Sequence, residues 1–131
     1  MKQARTLTDK QIKAVLAYCS TRRHAARDRA IIATSFYAGL RAKEIAALKL
    51  TDMLSPDNTV RNEFVLSAAQ TKGGKSRRVF VGTKLRKELE AYLKDLRPSP
   101  RCDVLFQSQK DGAVSANTMC QLFLNIYANA G

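Results

Sequence analysis

The stretch Arg27-Asp28-Arg29-Ala30-Ile31-Ile32, followed by Ala38-Gly39-Leu40-Arg41-Ala42-Lys43-Glu44-Ile45-Ala46-Ala47-Leu48, decides how this chain folds. It reads as a helix of roughly Ala26–Ala38, a sharp turn at Gly39, and a short third helix over about Arg41–Leu48. A glycine just past a helix end takes left-handed backbone without a Cβ clash. Arg41 then opens the next helix, where its guanidinium adds to unpaired backbone N–H groups and the positive end of the helix dipole. That combination suits a phosphate or another oxyanion. Glu44 lies one turn on and is expected to orient Arg41 as an i, i+3 pair. The alternative is a helix-start arginine paired with Glu44 for structure alone.

Outward from this corner, Leu7-Thr8-Asp9-Lys10-Gln11-Ile12 signs the start of a first helix. Thr8 is its N-cap, Gln11 its capping-box partner, and Leu7 with Ile12 a hydrophobic staple. Ile12, Val15, Leu16 and Cys19 form its apolar face. After the third helix the pattern turns β-like. Met53-Leu54 is expected as a short strand, Ser55-Pro56-Asp57-Asn58 as a turn, Val60–Ser67 as a second strand and Arg77–Val81 as a third. The loop joining the last two contains Lys72-Gly73-Gly74-Lys75. A fourth helix comes after Gly82, capped by Thr83, burying Leu85, Leu89, Leu93 and Leu96, and Arg97-Pro98-Ser99-Pro100 stops it. Cys102–Phe106 is a short apolar segment and Lys110-Asp111-Gly112 a turn. A last helix, capped at Ser115, carries Met119, Leu122, Phe123, Ile126 and Tyr127 on one face. The expected class is mixed α+β, mainly α-helical with a small three-stranded antiparallel sheet, as a single domain over 1–131.

Composition narrows the function. The 131 residues are 45% hydrophobic and 26% charged, a globular balance. Yet 23 Lys and Arg face 11 Asp and Glu, for a net charge of +12. A field of that sign favours a polyanionic partner, most often nucleic acid. The excess falls in two blocks: Lys2, Arg5, Lys10, Lys13, Arg22, Arg23, Arg27 and Arg29 in residues 1–30, and ten cations from Lys72 to Arg101 in residues 71–101. A groove gripping phosphates from two sides requires such a division. The alternative is a generic basic nucleic-acid-binding module. Cys19, Cys102 and Cys120 show neither a CxxC spacing nor an even count, so neither zinc nor a disulfide framework is expected. Cys19 and Cys120 read as small core residues. No metal, cofactor or small-molecule substrate is suggested. No apolar run could span a bilayer and no signal region opens the chain, so a cytoplasmic location is the default.

The motif Gly39-Leu40-Arg41-x-x-Glu44-Ile45-x-x-Leu48, behind a helix opening Arg27-Asp28-Arg29, resembles the first arginine box of tyrosine recombinases, the phage integrases. The resemblance implies that Arg41 binds a non-bridging oxygen of a scissile phosphate and that Glu44 supports it. A second match is Thr71-Lys72-Gly73-Gly74-Lys75-Ser76-Arg77-Arg78-Val79-Phe80-Val81. Lys72 aligns with the family's hairpin lysine, which protonates the leaving 5′-oxygen; Lys75 is the competing assignment. A lysine suits the role because an ammonium gives up a proton more readily than a guanidinium. Lys43, Lys75, Arg77 and Arg78 are the expected DNA contacts. The resemblance continues through Val104-Leu105-Phe106 and Ser115–Ala130 to the segment before the family's His-x-x-Arg box.

The family's later boxes are expected to be missing here. The second arginine box and the tyrosine nucleophile have no counterpart in these 131 residues, nor do the arm-binding and core-binding domains. His24-Ala25-Ala26-Arg27 spells His-x-x-Arg but precedes Arg41, out of the family's order. Tyr18, Tyr37, Tyr92 and Tyr127 read as packing or half-buried residues. The expectation is an incomplete tyrosine-recombinase catalytic domain that binds double-stranded DNA but cannot cut it alone. The alternatives are a regulatory or complementing partner of a full-length recombinase, with self-association as a variant.

Overall fold

A computed structural model describes residues 7–71, 73–96, 103–107 and 114–130. Its elements are α1 (Asp9–Cys19), α2 (Ala25–Ala38), α3 (Ala42–Ala46), α4 (Leu50–Met53), β1 (Glu63–Leu66), β2 (Arg77–Phe80), α5 (Thr83–Asp95) and α6 (Ala116–Asn129). Helix α2 runs through the centre, packing on α1, α3 and most extensively on α5, while α6 covers α1 and α3. Its central position comes from its composition. Ala30, Ile31, Ile32, Ala33 and Thr34 are all buried, and the two alanines let neighbouring helices approach on more than one side. Thr34 is kept there by donating its hydroxyl to the Ala30 carbonyl at 2.7 Å. Burying an isoleucine such as Ile31 or Ile32 completely contributes about 2–3 kcal/mol.

Helix starts obey the local chemistry. Thr8 and Gln11 form the reciprocal capping box, with bonds of 3.1 and 2.8 Å. Ser115 caps α6 through the Thr118 N–H. Gly39 ends α2 at φ 70°, a conformation in which a side chain would be strained, and its N–H reaches the Ser35 carbonyl at 3.1 Å. Helix α5 starts one residue earlier in capping terms than expected: Gly82 is the N-cap and Thr83 the first helical residue. Leu85 and Leu89 are fully buried, whereas Leu93 and Leu96 are only partly so.

The sheet has two strands, not three. β1 and β2 pair antiparallel with Glu63 opposite Phe80, Phe64 opposite Val79, Val65 opposite Arg78 and Leu66 opposite Arg77. The expected first strand at Met53-Leu54 is instead the end of a helical turn. Asp52 accepts the Lys49 N–H at 2.9 Å, and the Leu54 N–H closes on the Leu50 carbonyl at 2.8 Å. Once 50–53 is helical, only a single bridge between Leu54 and Val60 and one bond from the Arg61 N–H to the Met53 carbonyl remain of that pairing. The turn between them is tight: Asn58 has φ 67°, and the hydroxyls of Ser55 and Thr59 hold the pKa of the Asp57 carboxyl down at about 2. Among the described residues α4 is thus a helix the pattern did not suggest.

Residues 103–107 run beside the α3–α4 junction. The Leu105 N–H bonds the Leu48 carbonyl and the Leu50 N–H bonds the Asp103 carbonyl, both at 2.8 Å. Leu105 and Phe106 enter the core. Cys19 is a core residue as expected, the pKa of its thiol pushed up to about 11 by burial and then by Asp28. Cys120 is exposed, because α6 turns Met119, Leu122 and Ile126 inward and leaves position 120 outside. Cys102, the Arg97–Pro100 stop and the Lys110–Gly112 turn lie outside the described residues.

Candidate functional site

Arg41 is the N-cap of α3, delivered there by the left-handed turn at Gly39. Helix α3 is only five residues long, so its dipole is weak and the guanidinium itself must supply most of the attraction for an anion. Glu44 is buried at 4% exposure and accepts the Arg41 backbone N–H at 2.9 Å. This bond therefore holds the arginine's main chain and fixes where its side chain begins. The Glu44 carboxylate also lies 3.4 Å from Arg77 Nη2. Arg77 shares the inner face of the sheet with Leu66, Phe64 and Val79, which explains why it points back toward α3.

The hairpin presents its other cations outward. Arg78 is 63% exposed, with Glu63 across the sheet at 3.7 Å, and Lys75 is exposed in the loop beside Gly74 at φ 73°. Lys43 is exposed on α3, one residue before Glu44. Lys72 lies outside the described residues, so its place relative to Arg41 is a matter of sequence alone.

The N-terminal basic block is organised differently from the expected phosphate grip. Asp28, 1% exposed, takes Arg22 at 2.8 Å and Arg27 at 3.0 Å. Arg29 makes a two-pronged pair with Glu88 of α5 at 2.9 and 2.8 Å, and its remaining nitrogen donates to the Leu16 carbonyl and the Ser20 hydroxyl. Three of the block's arginines thus tie α1, α2 and α5 together. Glu88 stands 59 residues from Arg29, which no local pattern reveals.

The tyrosines are accounted for by packing. Tyr92 is buried, its hydroxyl donating to the Leu105 carbonyl at 2.8 Å and accepting from the Gln107 N–H at 3.2 Å. Tyr37 meets Phe36 edge-on, Tyr127 stacks on Phe123, and Tyr18 is half-buried against the core. His24 stands at the N-cap of α2; burial and then the nearby Arg27 and Arg23 hold its imidazole below the usual value of 6.5.

Two residues that sequence reading passed over link the arginine corner to the hairpin. Gln70 donates to the Ala47 carbonyl at 2.9 Å and to Asp52 at 2.8 Å, while its oxygen accepts the Ser67 N–H at 2.8 Å. Asp52 could have been found from its spacing of three after Lys49, the mark of a capped turn. Gln70 carries no such local signal. Among the described residues no group of three or more His, Cys, Asp or Glu side chains is arranged to hold a metal, and no helix is long and apolar enough to cross a membrane.

Against known proteins, the sequence matches the phage integrase family over residues 5–131. Transposase A from transposon Tn554 of Staphylococcus aureus is 30% identical over 115 residues, covering 85% of this chain and 31% of that protein. Tyrosine recombinase XerC of Lactobacillus leichmannii is 29% identical over 110 residues, covering 80% of this chain and 35% of that protein. The chain therefore spans roughly a third of the length of these relatives. The crystal structure of XerA recombinase shares the fold, with a TM-score of 0.73 at 21% identity over 99% of this chain and 44% of that one. A family match across nearly every residue, on a chain whose Gly39–Arg41–Glu44 corner is built as described, means that this chain belongs to the phage integrase family.

Proposed function

We propose that residues 1–131 form the phosphate-gripping part of an integrase-type catalytic domain, which binds double-stranded DNA and does not cut it alone. The observation that carries this reading is the corner at Gly39–Glu44, joined by Glu44 to Arg77 at the foot of a hairpin whose Lys75 and Arg78 are exposed. In this reading Arg41 binds a non-bridging oxygen of a backbone phosphate. Glu44 supports it by holding its main chain, and Lys72 acts as the acid that protonates a leaving 5′-oxygen. Lys43, Lys75, Arg77 and Arg78 contact flanking phosphates. The protein works in the cytoplasm, where that DNA is.

Strand cleavage by this family's chemistry forms a bond from a tyrosine oxygen to phosphorus and breaks the bond to the 5′-oxygen. Cationic side chains neutralise the charge that builds on the phosphoryl oxygens. Arg41 and Lys72 supply cations and a proton but no nucleophile, and groups that act jointly leave little activity when one is missing. Residues 1–131 are one domain in this reading, without the family's core-binding module.

A nicked suicide substrate, which traps a covalent phosphotyrosine adduct, tests the proposal. No adduct is expected from residues 1–131. An adduct lost on Tyr→Phe change at Tyr18, Tyr37, Tyr92 or Tyr127 would sink it. Leu124, 63% exposed on α6, favours a second reading in which a complementing recombinase piece covers that helix. In that case the adduct forms only when a separate C-terminal fragment is added, and Arg41→Ala and Lys72→Ala each abolish it.

A further inference from the structure

The loop between β1 and β2 carries two lysines and two adjacent glycines, Gly73 and Gly74, so nothing in its own sequence fixes its direction. Its two feet are nevertheless anchored to one corner of the fold. After the loop, Arg77 reaches Glu44 of α3. Before it, the chain makes a tight turn in which the Gln70 N–H bonds the Ser67 carbonyl at 3.0 Å and the Thr71 N–H bonds the same carbonyl at 3.2 Å. Thr71 is buried beneath this turn.

From these contacts we infer that Gln70 is a positioning residue, which sets the lysine-bearing loop against the α3–α4 corner that begins at Arg41. The inference rests on the reading of that loop as a DNA contact. All of the side chain's main hydrogen-bonding capacity is used in the bridge. The oxygen closes the turn on the Ser67 N–H, and the two amide protons go to Ala47, which ends α3, and to Asp52 of α4. Asp52 is itself held by the Lys49 N–H at 2.9 Å. The orientation of the amide is dictated by its surroundings. Turned over, it would set its oxygen against a carbonyl and a carboxylate and its NH2 against an N–H.

The residue type comes from the same count. A glutamate here would face the Asp52 carboxylate with like charge and lose both donors. A leucine would leave the Ala47 carbonyl and the Ser67 N–H to find water. Only a primary amide of this length both accepts from its own turn and donates twice across to α3 and α4. With Arg77 on the other foot, the loop is clamped at both ends to the corner that Arg41 opens.

A double-mutant cycle on duplex DNA binding, read as the slope of log affinity against log salt, tests this. Neutralising the loop by Lys72→Ala with Lys75→Ala should lower the slope by up to about 1.8 units, at roughly 0.9 for each phosphate no longer neutralised. In a Gln70→Leu background the same neutralisation should cost less than half as much, because the loop no longer delivers its cations. Arg78→Ala, on the strand rather than the loop, should cost the same in both backgrounds. Gln70→Glu should behave like Gln70→Leu, and adding Asp52→Asn should restore the loop's contribution, since the new amide donates to Glu while still accepting from Lys49. Should Gln70→Leu fail to fold, the Gln70→Glu pair carries the cycle. An undiminished loop effect in the Gln70 variants overturns the positioning role and leaves the loop's DNA contact standing. Loop neutralisation without effect in the native background overturns both.

Discussion

The two basic blocks of this chain look alike as sequence and differ as structure. Arg22, Arg27 and Arg29 each end on a carboxylate, and both carboxylates, Asp28 and Glu88, are buried. Arg78 and Lys75 of the hairpin are exposed, and the nearest acid to Arg78 is itself a surface residue at 3.7 Å. A net charge of +12 therefore overstates the field available to a ligand near α2 and describes it well at the hairpin. Cations that serve the fold are recognised by buried acids, some of them far away in sequence, which a count along the chain does not show.

The comparison breaks first at Arg29. Removing its guanidinium strands the Glu88 carboxylate, whose side chain is 11% exposed, and leaves the Leu16 carbonyl without this donor. Taking one partner from a mostly buried pair costs about 3 kcal/mol, a large share of a marginal stability. Arg29→Ala is expected to lower Tm by about 10 °C in thermal unfolding monitored by circular dichroism. The salt slope of DNA binding, measured well below that Tm, should stay within error of the native value. A slope that falls with Arg29 would mean that the first block grips phosphate after all.

The hairpin should show the opposite split. Arg78→Ala removes a surface pair worth about 0–1 kcal/mol, so Tm should barely move, while the salt slope drops by about 0.9. Arg77 sharpens the contrast because it belongs to both categories. It is 46% exposed yet lies 3.4 Å from the buried Glu44. Arg77→Ala should cost about 1 kcal/mol of stability and reduce the slope by less than Arg78→Ala does. Equal slopes for the two variants would place both side chains on DNA and remove the structural role of the Arg77–Glu44 contact.

Local chemistry explains which parts of this fold are legible in the sequence. The Thr8 box, the Gly39 turn, the Ser115 cap and the apolar faces of α1, α5 and α6 depend on residues within a few positions of one another. The motif around Arg41 is legible for the same reason. The missed third strand turned on a competition between β-prone Met53-Leu54 and a capped turn at Lys49–Asp52, which the cap won. The Gln70 bridge and the Arg29–Glu88 pair span 18 to 59 residues and depend on how helices meet. Propensity and periodicity carry no information at that range.

The smallest expected effect concerns the histidine beside the paired arginines. His24 is held below its ordinary value of 6.5 by burial and then by Arg27 and Arg23, so the folded state resists its protonation. Between that lowered value and 6.5 the unfolded chain binds a proton that the folded chain does not. Stability from this source is therefore complete above pH 6.5 and declines as pH falls below it. The decline stops once the folded histidine also titrates. Because His24 is only partly buried, the change should stay under about 2 °C in Tm between pH 7.5 and 5.5. His24→Gln should remove it without altering Tm at pH 7.5. If the native protein instead gains stability as pH falls through this window, the imidazolium has an acidic partner in the fold, and Asp28, whose pull opposes the arginines, is the residue to test next.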